Sequence, residues 1–136
     1  MVRVKRYFGF VILSAVILIS LSLISCTGTE VSEIPEGAMS ASECISNPVY
    51  DTELRVFGEV NSLGDLNCTC FLLSSDGADI LVWYDTMIEN DGTLRPPVSI
   101  GGIKNGDQVI VTGELKDEGE HTSQGDFWLS SIGKYN

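Results

Sequence analysis

Residues 68–84 read CTCFLLSSDGADILVWY, two short apolar stretches on either side of Asp76-Gly77. Apolar side chains recur at every second position, Phe71 and Leu73 before that pair and Ile80, Val82 and Tyr84 after it. This is the period of a strand with one face buried. Asp-Gly between two such runs is a tight-turn signal, because both residues tolerate the left-handed backbone that closes a two-residue hairpin. The stretch therefore predicts an antiparallel hairpin of Thr69–Ser74 and Asp79–Tyr84, with Phe71, Leu73, Ile80 and Val82 turned inward. Cys70, Leu72, Leu81 and Trp83 then turn outward.

The same period continues on both sides. Val56, Gly58 and Val60 are in phase over Leu54–Val60, and Val109, Val111, Gly113 and Leu115 are in phase over Gln108–Leu115 after a Gly106-Asp107 turn. Phe127–Ile132 makes a fifth strand beyond the polar loop Lys116–Gly125. Ahead of the strands, Ser40 with Glu43 three residues later is a capping-box pattern that opens a short helix over Ala41–Ser46, stopped by Asn47-Pro48. Met87–Ile103 is a longer connection with Asn90-Asp91-Gly92 and Pro96-Pro97, expected to hold a short helical turn or to be irregular. Short alternating strands separated by Gly, Asp and Asn are the pattern of one small all-β domain, placed at residues 38–136.

In this order, ECISNPVYDTELRVFGEV, CTCFLLSSDGADILVWY, IKNGDQVIVTGEL and FWLSSI resemble an OB-fold domain. The resemblance implies a five-stranded Greek-key barrel with a short N-terminal helix, in which Gly58 and Gly113 relieve crowding where strands bend sharply. It extends to extracytoplasmic OB-fold proteins and, more loosely, to nucleic-acid-binding OB domains and the haem chaperone of cytochrome c maturation. The last is similar in Val82-Trp83-Tyr84 and in the Gly106-x-x-Val109-x-Val111-x-Gly113 strand. Its haem-binding histidine has no counterpart in Gly133-Lys134-Tyr135-Asn136, so no cofactor is expected, and a carrier for haem or another small ligand is the alternative reading.

OB folds usually hold ligands across the second and third strands. The outward residues there, Cys70, Leu72, Leu81 and Trp83, joined by Phe57 and Trp128 on neighbouring strands, form the expected ligand or partner face, since contiguous exposed apolar surface marks interfaces. Cover by the N-terminal helix or by the Met87–Ile103 connection would bury it instead. No catalytic residue is expected: there is no Gly-x-Ser-x-Gly elbow and no phosphate-binding loop, and the carboxylates are too dispersed to single out an acid and a base. His121, the one histidine, reads as a solvated loop tip, because it lacks the ligand spacing of a zinc site.

The start of the chain carries a different signal. Arg3, Lys5 and Arg6 precede an apolar run from Tyr7 to Ile24, and Leu23-Ile24-Ser25-Cys26 resembles a bacterial lipobox. The resemblance implies a lipoprotein signal peptide over residues 1–25, acyl chains on Cys26, a flexible tether over residues 26–37 and a place outside the cytoplasm on the cell membrane or outer membrane. Two or more acyl chains anchor stably where one does not. The membrane, through that lipid, and an envelope protein or small ligand are then the expected partners.

Loss of residues 1–25 removes Arg3, Lys5 and Arg6 and no acidic residue, so the net charge falls from −11 to −14. The five remaining cations, Arg55, Arg95, Lys104, Lys116 and Lys134, are scattered, which disfavours nucleic-acid binding. Cys44, Cys68 and Cys70 are the disulfide candidates. A spacing of two is poor for pairing within an extended strand, so a bridge from Cys44 to one of the other two is expected, with one thiol left over.

Overall fold

The computed structural model describes residues 33–136. The expected signal peptide, Cys26 and most of the expected tether lie outside the described residues. The end of the tether makes a turn, closed by the Ala38 N–H donating to the Pro35 carbonyl at 3.0 Å.

The described chain is mostly β. A two-residue strand β1 (Met39–Ser40) leads into α1 (Ala41–Ser46), followed by β2 (Glu53–Asn61), β3 (Cys70–Ser75), β4 (Ala78–Trp83), the short β5 (Met87–Ile88) and β6 (Leu94–Arg95), then β7 (Gln108–Leu115) and β8 (Asp126–Lys134). The five long strands fall where the alternation predicts them. The Asp76-Gly77 turn takes positive φ at both residues, 52° and 76°, as a two-residue hairpin requires. At α1 the Ser40 side chain accepts from the Glu43 N–H at 3.0 Å, satisfying one of the orphan donors of a helix start.

The strands form a mixed six-stranded sheet in the order β1-β2-β3-β4-β8-β7, with β2 pairing also to β7. The sheet thus returns on itself and is roughly barrel-like. Among the long strands, β4 with β8 is the parallel pair and the other neighbours run antiparallel. Val56, Val60, Phe71, Leu73, Val82, Val109, Val111 and Phe127 are fully buried inside it, and Ala41 and Cys44 of α1 join the same core. Ser75 ties the helix to the sheet: its hydroxyl accepts from the Ala41 N–H at 2.7 Å and donates to the Phe57 carbonyl at 2.6 Å.

Two glycines permit the close crossings. A side chain at Gly58 would place a Cβ 2.7 Å from the Ser74 carbonyl oxygen, and one at Gly113 would meet the Trp128 carbonyl and the Phe127 ring. Gly113 also sits where the β7–β8 register shifts, so β8 passes over it with no room for a methyl group.

The connection after β4 is neither helical nor wholly irregular. Met87 pairs with Arg95 and Ile88 with Leu94 in a small antiparallel hairpin. Asn90-Asp91-Gly92 turns it: the Glu89 N–H donates to the Thr93 carbonyl at 2.8 Å, and the Asp91 carboxylate accepts from the Thr93 N–H at 2.9 Å. The latter hydrogen bond holds the Asp91 carboxyl below its usual range.

Candidate functional site

Register fixes which side chains share the outer side of the sheet. Cys70, Trp83, Trp128 and Glu114 stand abreast in one row across β3, β4, β8 and β7. Asn61, Leu72, Leu81 and Asp126 make the next row. Leu72, Leu81 and Trp83 are half-buried and form the accessible part of the face predicted from alternation.

The other three residues expected on that face are covered, which corrects the expectation of an exposed stripe. Phe57 is 2 % exposed, because the Tyr135 ring packs edge-on against it at 5.4 Å between centroids. Cys70 is fully buried and bonded to Cys68. Trp128 is 1 % exposed, because charged side chains lie over its ring. Arg95 of the β5–β6 hairpin sits 5.9 Å from the ring centroid, and Lys116, just past β7, sits 4.7 Å from it. Cover by the Met87–Ile103 connection is therefore the alternative that holds at Trp128.

Those two cations belong to a closed ring of ion pairs. Glu89 reaches Arg95 Nε at 2.7 Å with one oxygen and Lys116 Nζ at 3.1 Å with the other. Glu114 reaches Arg95 Nη2 and Lys116 Nζ, both at 2.8 Å, with its own two oxygens. Asp51 adds a third carboxylate on Lys116 at 3.0 Å. The Lys116 side chain is only 4 % exposed, so its ammonium has exchanged water for three carboxylates and an indole face. Burial alone would push the Glu114 carboxyl up, but the hydrogen bond from Lys116 and the charges of Arg95 and Lys116 outweigh it and hold the group below its usual range. Burial likewise pushes Lys116 down and is outweighed by the hydrogen bonds to Glu114, Asp51 and Glu89, leaving it above its usual range.

The hairpin is also held from the β7–β8 loop, where the His121 N–H donates to Asn90 Oδ1 at 3.4 Å. Among the described residues, the buried side-chain nitrogens without a hydrogen-bond partner are Trp83 Nε1, Trp128 Nε1 and Arg95 Nη1. All three belong to this neighbourhood.

The cysteines also differ from expectation. Cys68 pairs with Cys70, and Cys44 is a free, buried thiol. The reason is local: residues 66–69 bend rather than extend, which brings the two Cα atoms to 5.2 Å, inside the range for a disulfide and shorter than the roughly 6.6 Å of residues two apart in a strand. Burial pushes the Cys44 thiol up, and Glu43 adds to the shift, so the group remains an unreactive thiol. His121 is exposed, with Nε2 3.9 Å from Glu120 Oε1. Among the described residues no group of three His, Cys, Asp or Glu side chains is placed to hold a metal ion, and no helix is long and apolar enough to cross a membrane.

Sequence reasoning missed Glu89, Arg95, Glu114 and Lys116. The available signal was Asn90-Asp91-Gly92 between Met87-Ile88 and Leu94-Arg95, a hairpin pattern that carries Glu89 and Arg95 to the outside of the sheet. No protein-family model matches this chain, and a search of curated proteins finds none similar to it.

Proposed function

We propose that this chain is a lipid-anchored, non-catalytic recognition module of the bacterial cell envelope, with an OB-fold barrel that holds a protein partner on the outer face of β3 and β4. The observation that carries the proposal is the patch of Leu72, Leu81 and Trp83, three adjacent apolar side chains left half-buried on the outside of the sheet of a protein with net charge −11. Adjacent apolar side chains that stay partly accessible on so acidic a chain suit an interface. Support for the OB assignment comes from the strand circuit β2-β3-β4-β8-β7-β2 with its single parallel junction, which suits a small five-stranded Greek-key barrel. Support for the anchor is the likeness of Leu23-Ile24-Ser25-Cys26 to a lipobox, which suits a place on the cell membrane or outer membrane.

Native mass spectrometry of protein drawn from its own membranes tests this reading. The expected species is residues 26–136 with lipid on Cys26, together with a complex that Leu81→Asp abolishes and Ser131→Asp, on the exposed part of β8, leaves intact. A complex indifferent to Leu81→Asp, or a mass that includes bound haem, overturns it.

A further inference from the structure

We infer that the partner presented to this face is a basic polypeptide segment that alternates apolar residues with Lys or Arg along one extended face, that is, at every second position. The inference rests on the proposed recognition role and specifies the chemistry of the partner. Leu72, Leu81 and Trp83 form the centre of the face, and the charged side chains beside Leu72 and Leu81 are carboxylates. Asp79 stands two residues before Leu81 on β4, Asp126 is paired beside Leu81 on β8, and Glu59 lies in the row with Asp79 on β2.

Strand geometry sets the scale: Leu81 is roughly 4.8 Å from its neighbour Asp126 and roughly 6.7 Å from Asp79, backbone to backbone. An extended peptide repeats its side chains on one face at that same roughly 6.7 Å. An apolar residue set on Leu81 therefore carries cations two positions away, on its own face, to the rim. A compact ion or a polyamine has no apolar group for the centre, and an apolar ligand without charge leaves the rim unanswered.

The rim carboxylates are available. Among the described residues no Lys, Arg or His forms an ion pair with Glu59, Asp79 or Asp126, although Asp79 accepts a hydrogen bond from the Ser74 hydroxyl. Arg95 and Lys116, the nearest cations across β8, are committed to Glu89, Glu114 and Asp51. The net charge of −11 adds a long-range field that draws a basic partner in and repels acidic ones.

The test uses the full lipidated chain in nanodiscs of zwitterionic lipid, with empty nanodiscs as the blank, titrated calorimetrically with the nonapeptide Lys-Ser-Leu-Ser-Lys-Ser-Leu-Ser-Lys, which sets Lys and Leu in turn along one extended face. Binding is expected, and Glu59→Gln/Asp79→Asn/Asp126→Asn is expected to weaken it by about tenfold or more, the sum of three rim charge pairs. Glu36→Gln/Asp65→Asn/Glu120→Gln, which changes net charge equally at remote positions, is expected to weaken it less than about twofold, because screened charges at a distance act weakly. The same peptide with Ser in place of both Leu residues is expected to bind at least about tenfold more weakly, for want of apolar burial. Equal losses in the two triple variants, or equal binding of the peptides with and without Leu, overturns the inference. If the peptide fails while Leu81→Asp still abolishes the native complex, the face stands as the recognition surface and its partner is not basic.

Discussion

Gly113→Ala is expected to lower stability by about 3 kcal/mol or more, whereas Gly133→Ala, in the strand paired to it, is expected to stay within about 0.5 kcal/mol of the parent. The two glycines separate clash from composition. At Gly113 the added Cβ would lie 2.7 Å from Phe127 Cε1 and closer still to the Trp128 carbonyl oxygen. Neither can yield cheaply, because Phe127 is fully buried and Trp128 is in register with Glu114 across the same strand pair. At Gly133 nothing lies within 4 Å of the added atom. Of a total stability of about 5–15 kcal/mol for a domain of this kind, the first change removes a large part. Denaturant midpoints of the two variants check it; equal midpoints would mean that β8 does not cross β7 at Gly113 as described.

Lys116→Met is expected to cost about 3–5 kcal/mol, the penalty for removing one partner of a buried ionic cluster. The loss is large because three carboxylates lie within 3.1 Å of the ammonium, and without it Glu89 and Glu114 share Arg95 alone while Asp51 loses its ion pair. Adding Glu114→Gln to Lys116→Met is expected to recover part of the loss, since Glu89 and Arg95 then remain as a matched pair, with a coupling of about 1–3 kcal/mol in the double-variant cycle. The ring also sets a pH dependence. The Glu114 carboxyl is held below its ordinary value of 4.5 in the folded chain, so its contribution is present above that value and is lost as pH falls through the lower, folded one. Lys116 is held above its ordinary 10.5, so its contribution is present below that value and is lost as pH rises past it. Melting temperature is therefore expected to fall less steeply below about pH 4.5 in Glu114→Gln than in the parent. Parallel profiles in the two would mean that the ring carries no folding energy.

The β framework was legible because its signals are local. Period-two alternation, the Asp76-Gly77 turn and the Ser40–Glu43 cap each lie within a few residues of the structure they specify, and Gly58 and Gly113 stand in otherwise apolar inward positions where only a close crossing explains a missing side chain. Cover was not legible. Phe57, Cys70 and Trp128 do sit on the outer side by alternation, but what buries them is Tyr135, Cys68 and the pair Arg95–Lys116, and alternation says nothing about which distant group folds back. The hairpin that brings Arg95 is two residues per strand, too short for any period to show. Lys116 next to Asp117 and Glu118 reads as a solvated loop, since nothing local marks an ammonium bound for an indole face. The Cys68–Cys70 link is hidden for the opposite reason: the alternation starts the strand at Thr69, whereas residues 66–69 are still bent.

Photo-crosslinking from position 81 in living cells tests the central claim most directly, with a photoreactive residue in place of Leu81 in one strain and of Ser131 in another. Recognition through the outer face of β3 and β4 requires a discrete adduct from position 81 and none from position 131. The same adducts from both positions, or an adduct from position 131 alone, would contradict it.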